Sequence, residues 1–321
     1  MHSNPYAIAQ AEPGPLTDAR QPSGLPMRLM VTAMLCCAAG LTIHWVIMWL
    51  TMGPEYLRAY LNDLWPLATS WLSALAVDGC SALLLTRYYL QRHNLVTVTR
   101  PGRLIGLFVG CYFVAFTLVS LFFRLLWIQL ITWLYESDLG ISPWLLVQPL
   151  NFILFVLAVL LPLWLSLHLM RRTAQVETGL GRVSRGETAL AFGLLFSVIY
   201  MKLLTLLPIG VINPYGIKWL LAVASAAGLV YGLIALLAAR GALPPQLPQL
   251  AVGRLLASVL LCMSIWLVVA TALCVVLLLV LYAGTELMTM ALMVLFGLLL
   301  LALLWPLTRL SLRWVYRPVS V

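Results

Sequence analysis

The segment GRLIGLFVGCYFVAFTLVSLFFRLLWIQL, residues 102–130, contains only two charged side chains, Arg103 near its start and Arg124 near its end. A helix needs about 20 apolar residues to cross the hydrocarbon core of a bilayer, and the run between these two arginines has that length. The rest of the chain is similar, since 63% of its 321 residues are hydrophobic, 9% are charged and the mean hydropathy is +1.02. The sequence therefore predicts an all-α integral membrane protein.

Working outward from this segment, we find eight apolar runs of membrane-spanning length and predict a polytopic fold with eight transmembrane helices. The tail that precedes them, residues 1–26, contains five prolines and no apolar block, which predicts a disordered cytoplasmic segment. The predicted spans are residues 28–52, 64–86, 104–134, 144–169, 189–211, 217–239, 255–283 and 287–308.

The connections between the runs predict the orientation of the chain. Arginine is concentrated after the second, fourth, sixth and eighth runs, whereas the acidic residues lie mostly in the other connections. Because cytoplasmic loops carry an excess of Lys and Arg, both termini should be cytoplasmic. The arginines that predict this orientation are Arg87, Arg92, Arg100, Arg103, Arg171, Arg172, Arg182, Arg185, Arg240, Arg254, Arg309, Arg313 and Arg317.

The two halves of the chain resemble each other. GRLIGLFVGC at the start of the third run and GRLLASVLLC at the start of the seventh have both their Gly-Arg pairs and their cysteines 151 residues apart. An even number of spans preserves direction, so these matches predict a parallel 4+4 duplication. The predicted divisions are a first four-helix repeat at 27–170, a cytoplasmic linker at 171–188 and a second four-helix repeat at 189–321; chance similarity between Leu-rich segments is the alternative.

Four polar residues inside the apolar runs are candidates for a functional site. Asp78 lies nine residues before Arg87, which places it about 13 Å from the cytoplasmic end of its helix. By the same count Lys202, His44 and Asn151 lie at similar depths in the membrane. The long side chain of Lys202 can reach Asp78. We predict that these four residues form a polar layer serving a ligand or ion pathway. The alternative is a structural layer in which Asp78 and Lys202 neutralise each other.

Arg124 is predicted to lie at a different depth in the membrane. It lies 21 residues after Arg103, or about 31 Å along a helix, and is followed by Trp127, Trp133 and Tyr135. Aromatic residues are enriched at the membrane–water interface. We therefore predict an interfacial Arg124 that reaches toward water or pairs with an acidic neighbour.

The pattern argues against most enzyme classes. All six cysteines lie within apolar runs, no metal-ligand spacing is present, and no nucleophile elbow, zinc-protease or phosphate-loop motif occurs. We predict no cofactor and no metal, and the loop arginines do not indicate nucleic-acid binding. The predicted function is transport of a small solute or lipid. The alternative is a non-catalytic assembly, regulatory or immunity protein with a membrane protein partner.

The residues NPYA, at positions 4–7, precede a proline-rich tail and a multi-span region. This arrangement resembles the leader of several bacterial inner-membrane proteins, although Ile8 and Ala9 stand where such leaders often have prolines. The resemblance covers about ten residues. It implies a bacterial cell inner membrane as the location and implies no activity.

Overall fold

A computed structural model gives the fold. It describes residues 24–55, 64–93, 95, 98, 100–136, 143–171, 183–206, 217–244, 246–247, 250–283 and 286–315. Their secondary structure is almost entirely helical. In chain order the elements are α1 (Leu25–Met52), α2 (Leu64–Arg92), α3 (Pro101–Glu136), α4 (Pro143–Phe155), a π-helical turn (Val156–Leu160), α5 (Leu161–Arg171), β1 (Val183–Ser184), α6 (Arg185–Leu206), α7 (Ile217–Ala242), β2 (Gln246–Leu247), α8 (Val252–Ala283) and α9 (Glu286–Val315).

The described part of each predicted run falls on one helical segment, with the fourth run made of α4, the π-helical turn and α5. Residues 207–211 of the fifth run lie outside the described residues. Within the described residues six helices are long and apolar enough to cross a membrane. The chain is thus an all-α, multi-pass membrane protein. These six stretches are Leu25–Thr51, Pro101–Phe122, Pro149–Arg171, Arg185–Leu204, Val252–Leu277 and Val294–Val315.

Local sequence explains where several helices begin and end. Pro26 stands in the first turn of α1, where its missing N–H costs nothing. Ser184 caps α6, since its Oγ accepts the backbone N–H of Glu187 at 3.2 Å. Arg92 and Arg240 lie in the last turns of α2 and α7, where a cation is favoured by the carbonyl end of the helix. Relative to the prediction, α1 begins inside the predicted tail and α6 inside the predicted linker.

The π-helical turn of the fourth segment has a proline beside it. Pro162 is the second residue of α5, so it has no N–H for the preceding turn and its ring would crowd a carbonyl of a regular α-helix. A wider turn at Val156–Leu160 relieves this conflict while the helix continues.

Two hydrophobic clusters fill the interior. The first contains buried residues of α1, α2, α3, the π-helical turn and α5, such as Leu29, Phe108 and Leu163. The second contains mainly residues of α6 to α9, joined by Met30 and Leu83 from the first half of the chain. Because α2 contacts α1 as well as α6 and α7, it is the helix that connects the two clusters.

Helices α6 and α7 approach each other closely through small residues. A Cβ atom added at Gly193 would lie 2.7 Å from the carbonyl oxygen of Gly232, and Ser197 donates a hydrogen bond to the Gly228 carbonyl at 3.1 Å. The same spacing in α3 has another outcome. Gly106 and Gly110 have open space where a Cβ would stand, so no described helix packs closely against this face of α3.

A short antiparallel pairing links two connections at one end of the helices. Val183 pairs with Leu247, and Ser184 pairs with Gln246. The Gln91 side-chain amide also donates to the carbonyl of Leu250 and accepts from its backbone N–H. Backbone pairing therefore links the start of α6 to the end of α7, and the Gln91 side chain joins the end of α2 to the same region.

Candidate functional site

The candidate site is a polar cluster around Asp78 where α1, α2 and α3 meet. Asp78 lies in the middle of α2 and its side chain is only 6% exposed. Tyr112 of α3 donates a hydrogen bond from its hydroxyl to Asp78 Oδ2 at 3.4 Å. The thiol of Cys37, on α1, lies beside the same carboxyl. A carboxyl at this depth needs such partners, because burial of an unpaired polar group is costly.

Aromatic packing fixes the position of Tyr112. Its ring makes edge-on contacts with Phe108 and Phe113, with centroids 6.0 and 5.7 Å away, and stacks on Phe116 at 6.3 Å. Phe116 in turn lies against Gly40 of α1, where an added Cβ would be 3.3 Å from the ring. The hydroxyl is therefore held in place toward Asp78 by α1 and α3 together.

The sequence-predicted residues are distributed unevenly around this cluster. Lys202 is on α6 with an exposed side chain, and its positive charge acts on the Asp78 carboxyl. His44 on α1 and Asn151 on α4 are also exposed. The structure thus brings Lys202 into electrostatic reach of Asp78, whereas no described contact joins His44 or Asn151 to the Asp78 cluster. The backbone of Arg124 is helical in α3, and its side chain lies outside the described part.

A second buried charge on α2 escaped the sequence reasoning. Arg87, 4% exposed, forms a two-point ion pair with Glu187, 8% exposed, in which Nε and Nη2 each donate to one carboxylate oxygen. We had assigned Arg87 to a cytoplasmic connection, but it lies inside α2, five residues before the end of the helix. A signal was present in the Ser184 to Glu187 spacing, which is typical of a helix start and places a carboxylate there.

The two buried charges face different parts of the molecule. Nine residues separate Asp78 from Arg87, which at about 100° per residue puts them on opposite sides of α2. Asp78 accordingly contacts α1 and α3, whereas Arg87 contacts the start of α6. Helix α2 therefore presents Asp78 to the first hydrophobic cluster and Arg87 to the start of α6.

The chemistry available at Asp78 is binding of a proton or a cation. The carboxylate can accept a proton and Tyr112 can donate to or accept from it, but the described residues hold no group of three potential metal ligands. No second carboxylate is recorded beside Asp78 among the described contacts. The arrangement suits an exchange of charge at one carboxylate within a membrane helix.

No family model, curated protein sequence or solved structure matches the chain.

Proposed function

We propose that this chain is a multi-pass protein of the bacterial inner membrane that transports a small solute or a lipid, with Asp78 as the group that binds the coupling proton or cation. The observation that carries the proposal is the enclosed Asp78 carboxyl, held by Tyr112 in the middle of a membrane helix. Ionisable residues at this depth are expensive and usually mark an ion or substrate pathway. Lys202 supplies a positive charge that acts on the carboxyl.

The proposed topology has eight spans with both termini in the cytoplasm. It adds α2 and α7 to the six apolar stretches. Helix α2 packs against α1, α6 and α7, so it can carry Asp78 and Arg87 without exposing them to lipid. Helix α7 has an apolar portion, Ala226–Ala242, and continues for a further nine residues toward its start. With eight spans, the arginine-rich connections fall on one side of the membrane.

Burial supports the proposed 4+4 duplication. The same helix pairs pack in each half: α1 on α2 matches α6 on α7, α1 on α3 matches α6 on α8, and α3 on α5 matches α8 on α9. At fixed offsets, buried positions of one half coincide with buried positions of the other. Examples are Leu104 and Leu255, Phe108 and Val259, Tyr112 and Met263, Ser166 and Ser311, and Leu167 and Leu312.

The two proposed repeats differ at the charges. If Leu83 of α2 is aligned with Ala235 of α7, both fully buried, Asp78 corresponds to Val230 and Arg87 to Ala239. The polar cluster therefore exists in one repeat only. Two similar repeats with a carboxyl in only one of them would give the transporter a single coupling site. Equivalent carboxyls in both repeats would instead give a pair of sites related by the repeat axis.

The second candidate function is a non-catalytic assembly, regulatory or immunity protein. The buried pair of Arg87 and Glu187 favours it, because these charges satisfy each other and join α2 to α6. In that case the Asp78 cluster would serve helix packing alone.

Proteoliposomes distinguish the two functions. The purified protein would be tested by charge displacement on solid-supported membranes, using jumps of proton, sodium and potassium concentration and a panel of small charged solutes. Lipid transport would be followed by the accessibility of fluorescent lipids to a membrane-impermeant quencher. We expect the wild-type protein to give a signal in one of these assays.

Variants then connect that signal to the site. Asp78→Asn should abolish it, and Tyr112→Phe should weaken it, whereas Val230→Asn, at the exposed corresponding position of the second repeat, should retain it. Each variant must show a single size-exclusion peak and a cooperative melt. Absence of any signal in the folded wild-type protein, or an unchanged signal in Asp78→Asn, would reject transport through this site.

A further inference from the structure

A cluster of cationic and aromatic side chains lies where α2 and α5 end. It consists of Tyr89, Arg92, His93, His168 and Arg171, and we refer to it as the headgroup cluster. The rings of Tyr89 and His93 meet edge-on with centroids 4.5 Å apart. His168 stacks on Trp164 at 5.1 Å with the rings 13° from parallel. These contacts give both histidines a defined position.

The described charges that act on His93 are all positive. Desolvation and the nearby positive charges of Arg171, Arg92 and His168 lower the pKa of His93. Asp78 is the described acidic residue nearest in sequence to the end of α2, and it faces α1 and α3. The Glu187 carboxylate is bound by Arg87. Among the described residues no carboxylate is recorded beside the headgroup cluster, so its positive charge would attract an anion.

Tyr89 adds a donor that lacks a protein acceptor. Its side chain is 4% exposed, and its hydroxyl donates to no acceptor among the described residues. The Arg171 guanidinium lies near this hydroxyl. Buried hydroxyl groups nearly always have a partner, so an anion beside Arg171 would supply the missing acceptor.

An apolar strip leads up to the cluster along α5. Leu161, Leu165 and Leu169 follow one another at four-residue intervals, and all three side chains are exposed. Trp164, whose ring stacks on His168, is exposed as well. A ligand that matches both parts needs an anionic head and a hydrocarbon tail.

We propose that the headgroup cluster binds the phosphodiester group of an anionic phospholipid whose acyl chains lie along the α5 strip. The Arg171 guanidinium would donate to two phosphate oxygens, and the imidazole N–H groups and the Tyr89 hydroxyl would donate to the others. Basic pockets between membrane helices at the cytoplasmic side are suited to such headgroups. This site is independent of the transport proposed at Asp78.

The test is a thermal melt of the full chain in a neutral detergent. Dioctanoyl phosphatidylglycerol, dioctanoyl phosphatidylcholine and inorganic phosphate would be titrated separately. We expect a saturable rise in melting temperature with phosphatidylglycerol and a clearly smaller effect from the other two. Equal effects of phosphatidylglycerol and phosphatidylcholine would reject recognition of the anion, and an equal effect of inorganic phosphate would reject the lipid.

Variants locate the binding. Arg171→Gln should weaken phosphatidylglycerol binding by about tenfold or more, as expected for loss of a charge-assisted hydrogen bond, and Tyr89→Phe should weaken it less. Arg313→Gln, at an exposed arginine in the last turn of α9, should bind as the wild type does. If Arg171→Gln and Tyr89→Phe both bind normally, the cluster serves only to neutralise the helix ends.

Acidity provides a separate readout. An anion favours the protonated imidazole, so phosphatidylglycerol affinity should increase as the pH falls from 8 to 6. His93→Gln should reduce that dependence. A flat profile in the wild type would contradict direct contact between the His93 imidazole and the phosphate.

Discussion

The ion pair of Arg87 and Glu187 should behave as a strongly coupled unit in a double-mutant cycle. Both side chains are nearly excluded from solvent, at 4% and 8% exposure, and two parallel hydrogen bonds join them. Removing one partner of such a buried pair costs about 3–5 kcal/mol, because the other charge remains buried without compensation. Replacing both by apolar residues of similar volume is often neutral.

The structure refines the magnitude for each single variant. Glu187 lies in the first turn of α6, where the helix N-terminus stabilises a carboxylate by about 0.3–1 kcal/mol. Arg87→Met should therefore cost about 3 kcal/mol, at the low end of the range. In Glu187→Gln the arginine keeps one amide acceptor, so a similar cost is expected, and Glu187→Met, the single variant that closes the cycle, should cost up to about 5 kcal/mol. The double variant Arg87→Met/Glu187→Met should come within about 1 kcal/mol of the wild type.

The measurement is the free energy of unfolding in mixed micelles as a function of SDS mole fraction, with helicity and tryptophan fluorescence as probes. Arg254→Met and Glu55→Gln are matched controls, since both side chains are exposed, and should change stability by less than about 0.5 kcal/mol. If the costs of the two single variants simply add in the double variant, the two side chains do not form the pair described here.

Three other predictions concern packing, charge and topology. Gly232→Ala should cost about 1–3 kcal/mol by overpacking, because the new methyl group would overlap the Ser197 hydroxyl, whereas Gly106→Ala, with open space around it, should be neutral or stabilising in the same SDS titration. Asp78→Asn and Lys202→Met should each lower the melting temperature and the double variant should recover much of the loss; additive losses would show that the two charges do not interact. Topology reporters check the eight spans, and an external C-terminus would contradict them. Reporters should be cytoplasmic after Arg92, Arg182, Arg240 and the last residue, and external after Arg58, Asp138, Pro214 and Glu286.

The helices could be predicted from the sequence because the length of an apolar run largely determines where a membrane helix forms. A backbone inside a bilayer must satisfy its hydrogen bonds within the segment, so a sufficiently long apolar run has few alternatives to a helix. The described part of every predicted run coincides with a helical segment for this reason. The composition also identified a membrane protein without any knowledge of contacts.

The contacts between helices were less predictable. The loop-charge argument treats every arginine near a helix end alike, and it did not distinguish Arg87, which faces Glu187 a hundred residues later, from exposed arginines such as Arg92. Likewise, Gly106 and Gly228 occur in similar small-residue patterns, but only Gly228 has a neighbouring helix against it. The spacing of small residues shows that a helix face permits close contact, but which helix packs against that face depends on the arrangement of the other helices.

The candidate site was predicted in part. The depth estimate selected Asp78, and the structure encloses it. Its partners Tyr112 and Cys37 were not selected, because both residues occur in apolar runs where they resemble ordinary interior residues. Equal depth also does not imply equal surroundings, since His44 and Asn151 are exposed whereas Asp78 is buried.

The wide turn at Val156–Leu160 sets the rotation of everything that follows it in the fourth helical segment. One extra residue in a turn displaces the following side chains by about 100° around the helix axis. Deleting one residue there would keep α5 as a helix but would turn Ser166 and Leu167, now buried, away from the interior. His168 and Arg171 would rotate with them. The register of this one turn therefore selects which face of α5 packs against the neighbouring helices and which face is left exposed.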